Sequence, residues 1–203
     1  MTYILTLSSR ICLVLGTLAL NGCISLLPEA GPPPAQITLE PQAPASHLAS
    51  SKTLQIEDPS SPINFNGTKI VIRKTNEAGL SVFTFAQEQE WTETLPKMMQ
   101  RALLDHLKTP AWPGVVSEAK TIVPDYKLSI DIRKFNIVLA EGVEVSVNLT
   151  LINNNTHKIE ATKTLHYVLK SEHNVKGYMQ AFNQAMTQLI ADTDAMLRKE
   201  IIE

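Results

Sequence analysis

From Tyr126 to Leu151 apolar and polar side chains alternate, and no other stretch of the chain limits its fold so tightly. Tyr126, Leu128, Ile130 and Ile132 interleave with Lys127, Ser129, Asp131 and Arg133; further on, Val143, Val145, Val147, Leu149 and Leu151 interleave with Glu144, Ser146, Asn148 and Thr150. Successive side chains of a strand point to opposite faces, so each run is a strand with one buried and one wetted face. Asn153, Asn154 and Asn155 tolerate left-handed turn geometry, and Ile159, Ala161, Leu165, Tyr167 and Leu169 return on one face of the segment that follows. The arrangement reads as a hairpin. Strands buried on both faces would be apolar throughout; these are not, which predicts a largely antiparallel sheet with one exposed face.

Two segments switch to the helical period. Trp91, Leu95, Met98, Met99, Ala102, Leu103 and Leu107 recur every three or four residues, with Glu93, Lys97, Gln100, Arg101, Asp105 and Lys108 between them. This is the pattern of an amphipathic helix of about four turns. Pro96 fits only in a first turn, so the regular helix is expected to start near Thr94, with Thr92 or Thr94 as cap, and to end before Pro110 and Pro113. A second stripe, Tyr178, Phe182, Ala185, Met186, Leu189, Thr193, Met196 and Leu197, predicts a longer helix from about Val175 to Lys199. Thr53–Ile56, Lys69–Arg73 and Leu80–Phe85 read as strands, the last with a slip of phase at Val82 and Phe83 that suits a bulge. The fold class expected is α/β of the α+β type: one mixed, largely antiparallel sheet packed against two long amphipathic helices. Both helices are expected on one face, with one on each face as the alternative.

The first fifty residues follow a different logic. Arg10 precedes an apolar run of about ten residues that ends in Leu20-Asn21-Gly22-Cys23. The run is shorter than the ~20 apolar residues a bilayer span needs, and a small residue sits just before the cysteine, so residues 1–22 read as a cleaved signal peptide. Leu20-Asn21-Gly22-Cys23 resembles the lipobox of bacterial lipoproteins. The resemblance implies cleavage between Gly22 and Cys23, diacylation of the Cys23 thiol and acylation of the new amino terminus. Eight of the twelve prolines then fall within residues 24–62, with Ala and Ser filling much of the rest up to residue 50. Residues 23–50 are therefore expected to be the lipidated cysteine and a tether, reaching at most ~90 Å if extended at ~3.3 to 3.6 Å per residue. Residues 51–203 form the single domain.

The chemistry of the mature chain is sparse. Loss of Arg10 with the signal leaves 17 basic against 20 acidic side chains, and the lysines alternate with acids, so nothing forms the basic face that nucleic-acid binding requires. Cys12 leaves with the signal and Cys23 is consumed by lipid, which excludes disulfides, thiol catalysis and cysteine metal sites in the domain. The histidines, at 47, 106, 157, 166 and 173, include no helical i, i+4 pair and are expected to be solvated. No nucleophile elbow, phosphate-cradling glycine loop or His-Glu-x-x-His is present. No catalytic residue, metal site or cofactor is expected. Glu141 and Glu144, flanking Gly142, read as solvated acids of a turn. Met98, Met99, Met179, Met186 and Met196 fit core filling better than an acyl-chain surface. Trp91 reads as a buried packing residue heading the first helix, and Trp112, between two prolines, is left open between core and interface.

Taken in order, the lipobox, the Pro-rich lead, Lys69–Arg73, Trp91-Thr-Glu-Thr-Leu-Pro-Lys-Met-Met-Gln-Arg-Ala-Leu104, Asp125-Tyr-Lys-Leu-Ser-Ile-Asp-Ile-Arg-Lys-Phe135 and the closing helix resemble the ABC-type transport auxiliary lipoproteins, the family that includes paraquat-inducible protein C. The chain departs from that family at Ala35-Gln-Ile-Thr-Leu39, where an aromatic-rich strand is usual. The resemblance implies a non-enzymatic envelope lipoprotein working with an ABC permease and ATPase and an MCE-domain protein in moving lipid between membranes. Ile24, where an Asp would signal retention in the inner membrane, implies the periplasmic face of the outer membrane. Partner docking is expected on the polar strand face carrying Lys127, Asp131, Arg133, Glu144, Asn148 and Thr150, with self-association as a further option. The competing expectation is a structural adaptor or assembly chaperone of another envelope complex that recruits a strand at a sheet edge.

Overall fold

One strand, Tyr126–Val138, organises the sheet. The computed structural model describes residues 32–118 and 123–202, and from Pro34 onward these form one compact unit. In chain order the elements are β1 (Ala35–Ile37), β2 (Leu54–Ile56), β3 (Lys69–Thr75), β4 (Ser81–Trp91), α1 (Leu95–Leu107), β5 (Val115–Val116), β6 (Tyr126–Val138), β7 (Gly142–Asn153), β8 (Lys158–Lys170) and α2 (Val175–Leu197). Along one edge β6 pairs antiparallel with β7 over its whole length, and β7 pairs antiparallel with β8. The other edge is shared: β2 runs parallel to Tyr126–Leu128, and β3 runs parallel to Asn136–Val138. β4 and then β1 extend the sheet beyond β3, while β5 extends it beyond β2. The sheet is mixed, eight-stranded and open, and the fold is α+β as expected.

A bulge at Arg133, between Ile132 and Lys134, keeps the apolar face continuous, because it lets Ile132 and Phe135, three residues apart, turn to the same side. Against that side pack both helices, α1 on β2, β5 and α2, and α2 on β7 and β8. The stripes read from the sequence are the buried ones: Leu95, Met98, Met99, Leu103 and Leu107 on α1, and Tyr178, Phe182, Ala185, Met186, Leu189, Met196 and Leu197 on α2. At the centre Phe135 and Phe182 stack at 4.6 Å between ring centroids, and the Trp91 ring meets both edge-on. Asn174 caps α2, its side chain accepting from the Gly177 N–H at 2.7 Å. Thr94 occupies the cap position of α1 without a side-chain bond, and Pro96 lies within the first turn.

Several boundaries differ from expectation for identifiable reasons. Trp91 is buried, as predicted, but it ends β4 instead of heading α1, because its N–H bonds to the Thr68 carbonyl across the hairpin. β4 is accordingly longer than Leu80–Phe85, and the break in its pairing lies beyond Phe85, opposite Lys69 and Val71. In the β7–β8 turn the left-handed residue is His157, at φ 56°, while the asparagines serve through their side chains, Asn153 Oδ1 accepting from the N–H groups of Asn155 and Thr156. Trp112 belongs to the core, fully buried, with its Nε1–H donated to the Lys52 carbonyl at 2.7 Å.

The largest difference concerns residues 35–50, read from composition as tether. Ala35–Ile37 pairs parallel with Gln89–Trp91, and the stretch that follows crosses α2 as a strap. The Glu40 N–H donates to Asn183 Oδ1 and the Gln42 N–H to Thr187 Oγ1, Ser46 Oγ bonds to Asp194, and Leu48 is buried. Proline and alanine prevent a regular ladder here, but an extended chain can still place alternate N–H groups over polar side chains of a helix, and Asn183, Thr187 and Asp194 share one side of α2. The packed body therefore begins near Ala35 and not at residue 51.

Candidate interaction surface

The face of the sheet away from the helices carries a continuous row of polar side chains. Strand alternation brings Lys127, Ser129, Asp131, Lys134 and Asn136 of β6, Glu144, Ser146, Asn148 and Thr150 of β7, and Thr164 and His166 of β8 to this side. In its lower half the groups are paired locally: Arg133 bonds Asp131 at 3.0 Å, Ser60 Oγ donates to Asp131 at 3.3 Å, Lys127 lies 3.8 Å from Glu57, and Thr164 Oγ1 donates to Asn148 at 2.9 Å. These residues are half-buried to exposed.

The upper half is built around Glu144. Its carboxylate receives Lys134 Nζ at 2.7 Å and an Arg73 terminal nitrogen at 3.1 Å, and His166 Nε2 lies 3.1 Å away. Glu144 is only 5 % exposed, which corrects its reading as a solvated turn acid; Glu141, in the turn proper, is exposed. The cause is register: β7 sets Glu144 opposite Asn136, and β3 brings Arg73 over the same place from the far side of β6. Burial pushes the Glu144 carboxyl upward, but hydrogen bonds from Lys134 and His166 and the charges of Lys134 and Arg73 outweigh it and hold the group below the usual carboxylate range. Arg73, Lys134 and His166 were invisible as a set in the sequence. They come from three strands, and only pairing register relates them.

Other polar clusters hold the architecture. Asp192 of α2 accepts from Tyr167 Oη at 2.7 Å and Lys163 Nζ at 2.9 Å, fastening β8 to the helix; burial and the neighbouring carboxylate push the Tyr167 phenol well above its ordinary value. Asp125 accepts from the Thr53 N–H and Oγ1, and these bonds lower its carboxyl. Asp194 receives Ser46 Oγ and stands 3.4 Å from His106 Nε2. This Ser-Asp-His contact does not have the order of a hydrolytic triad, because the carboxylate, and not the imidazole, bonds the hydroxyl. His106 is nearly enclosed and corrects the expectation that it is solvated; His47, His157, His166 and His173 are exposed. Among the described residues no group of three or more His, Cys, Asp or Glu side chains is placed to hold a metal ion.

Concavities lie at the surface. An open groove of about 430 Å³ runs between the strap and α1, lined by Leu39, Pro41, Ala43, Met98, Arg101 and His106 among others. The methionines serve the core: Met99 and Met186 are fully buried, and Met98 and Met196 nearly so. Gly22 and Cys23, the residues of the expected cleavage and lipidation site, lie outside the described residues. Among the described residues no helix is long and apolar enough to cross a membrane.

Fold and surface together give an open α+β sheet with both helices on one face and a row of polar side chains on the other. Residues 37–193 match the family described as ABC-type transport auxiliary lipoprotein component, and the chain belongs to that family. Its membership makes it an auxiliary component of ABC-type transport in the cell envelope. Protein XCC0632 from Xanthomonas campestris is similar in structure, with a TM-score of 0.60 at 20% identity over 81% of this chain and 91% of that one. A crystal structure of an uncharacterized protein aligns with a TM-score of 0.62 at 15% identity over 82% and 99%. The PelC dodecamer from Paraburkholderia phytofirmans aligns at 0.43 and 13% identity over 73% and 89%, too distant to bear on assembly. A search of curated proteins finds no match.

Proposed function

We propose that this chain is a non-enzymatic docking component of an ABC/MCE-type lipid transport system, anchored through acylated Cys23 to the periplasmic face of the outer membrane. The observation that carries the reading beyond family membership is how the core is used: α1 and α2 take up the apolar face of the sheet, with Leu103, Leu107, Phe182, Ala185 and Leu189 at 0% exposure. Cargo would have to ride on the surface, whereas a partner finds a polar face ready. The lower half of that face, Lys127, Asp131, Arg133, Asn148 and Thr150, is the contact offered to an MCE-domain protein or permease. Ile24 after Cys23 supports the outer over the inner membrane.

A second reading, adaptor or assembly chaperone of another envelope complex, is favoured by β8, which is thirteen residues long and, among the described residues, pairs only with β7. Its outer edge can receive a strand from another protein. One experiment separates the two: the mature lipoprotein is purified from membranes in mild detergent and its co-purifying proteins and lipids are identified by mass spectrometry. Permease, ATPase and MCE-domain proteins without stoichiometric bound lipid are the expected result. Stoichiometric phospholipid or sterol would make the protein a carrier, and secretion or pilus components would favour the adaptor. A Cys23→Ser variant is expected to lose lipid labelling and leave the membrane fraction.

A further inference from the structure

Ten large apolar side chains stand exposed among the described residues; Ile63, Val123, Ile159 and Ile202 lie outside the group that follows, but the other six share a location. Leu80, Phe83, Phe85, Leu139, Val168 and Val175, each between 43% and 63% exposed, gather toward one end of the sheet. The pairing shows why they share it. Arg73 lies beside Val138, so the β3–β4 turn that contains Leu80 and the β6–β7 turn that contains Leu139 project in the same direction. Gly142 pairs with Lys170, which brings the end of β8, with Val168, and the start of α2, with Val175, to that end as well. Phe83 and Phe85 stand opposite Arg73 and Val71 on the outward face near the same turn. A monomeric surface rarely concentrates large apolar groups without a use.

The amino-terminal chain supplies the occupant. β1 runs parallel to β4, from Ala35 beside Gln89 to Ile37 beside Trp91, so the chain entering Ala35 comes from the side on which β4 begins, the end that carries the apolar turns. Pro32-Pro33-Pro34 immediately before Ala35 is a sequence that favours an extended chain. Cys23 lies twelve residues before Ala35, which limits its reach to ~40 Å at ~3.3 Å per residue. We infer that this end of the sheet, led by Leu80 and Phe83, seats in the interface of the bilayer that holds the acylated Cys23. The anchor delivers the domain, and the apolar turns orient it, leaving the lower polar half of the face, toward Lys127 and Thr150, directed away from the membrane. Aromatic and leucine side chains at such a rim gain burial in the headgroup–acyl boundary.

The inference rests on the reading of Cys23 as the lipidated residue, and the test separates the two. With the Cys23 thiol acylated, the mature chain has no other cysteine, so a single introduced thiol reports one place. The full lipoprotein carrying Leu80→Cys or Phe83→Cys is spin-labelled and reconstituted into phosphatidylethanolamine/phosphatidylglycerol vesicles; Ile159→Cys, exposed at the opposite end of β8, is the reference. Collision of the label with lipid-partitioned oxygen, relative to a water-soluble nickel chelate, is expected to be severalfold higher at positions 80 and 83 than at 159. Equal nickel access at all three positions, or dipolar broadening at 80 and 83 from a second copy of the chain, overturns the membrane contact. Failure of the protein to float with the vesicles, together with the mass of an unacylated chain, overturns the anchor itself.

Discussion

Toward the helices the sheet turns Leu128, Ile130, Ile132, Val145, Val147 and Leu149, none more than 1% exposed; away from them it turns Lys127, Ser129, Asp131, Ser146, Asn148 and Thr150, all partly open to solvent. Both faces belong to the same strands, yet they are held together by different physics. The helix side is stabilised by apolar burial and close packing, in which each side chain touches many others and removal of one leaves a cavity. The outward side is stabilised, where it is stabilised at all, by a charge network around one buried carboxylate. The contrast teaches where change is tolerated: the first face carries the fold, and substitutions on the second are expected to cost far less stability.

Three variants test this division. Trp91→Ala, which removes the ring wedged against Phe135 and Phe182, is expected to cost ~3 to 5 kcal/mol and to appear as a large fall in melting temperature. Unchanged melting with lost transport would move Trp91 from the core to a binding role. Glu144→Gln is intermediate. Breaking an enclosed ion pair costs ~3 to 5 kcal/mol, but Lys134 and His166 are half exposed and Arg73 about a quarter, so water relieves part of the loss and ~1 to 2 kcal/mol is expected.

That variant also has a pH signature. The Glu144 carboxyl is held below its ordinary value in the folded state, so its stabilising contribution is present above the unfolded-state value of about 4.3 and is lost as pH falls through the lower folded value. Wild type should therefore be the more stable in denaturant titrations near pH 5, and the difference from Glu144→Gln should shrink as the solution is made more acid. A gap that persists undiminished at pH 2 would show that Glu144 acts by shape and not by charge.

The smallest effect on stability belongs to the lower half of the outward face. Asp131→Ala with Arg133→Ala removes a solvent-facing pair on the bulge and should change stability by no more than ~1 kcal/mol. Measured by pull-down of the ABC partner from detergent extracts, the same pair of changes is expected to weaken association at least severalfold. Full retention of the partner would remove this patch from the docking surface.

How much of this could be read in advance differed by region. The β6–β7–β8 meander was legible because its alternation is a local property: each residue's face follows from its neighbour's, and Asn153–Asn155 marked the turn. The helices were legible for the same reason at a different period. Trp91 was placed in the core correctly but on the wrong element, since an aromatic at a strand–helix junction satisfies either pattern. The strap was misread because proline and alanine report only what a segment does by itself, whereas Glu40, Gln42 and Ser46 are held by Asn183, Thr187 and Asp194 more than a hundred residues away.

By its own patterning the chain determined the existence, type and amphipathic direction of its long elements and the absence of recognisable catalytic motifs. Periodicity encodes these directly, because they depend on residues within a turn or two of each other. Tertiary structure alone decided that β6 shares one edge between β2 and β3, that Arg73, Lys134 and His166 converge on Glu144, and that Leu80, Leu139 and Val175 reach the same end of the sheet. Each of those depends on register between strands distant in sequence, and register is selected by the burial of the whole apolar face at once, so no local run of residues can announce it.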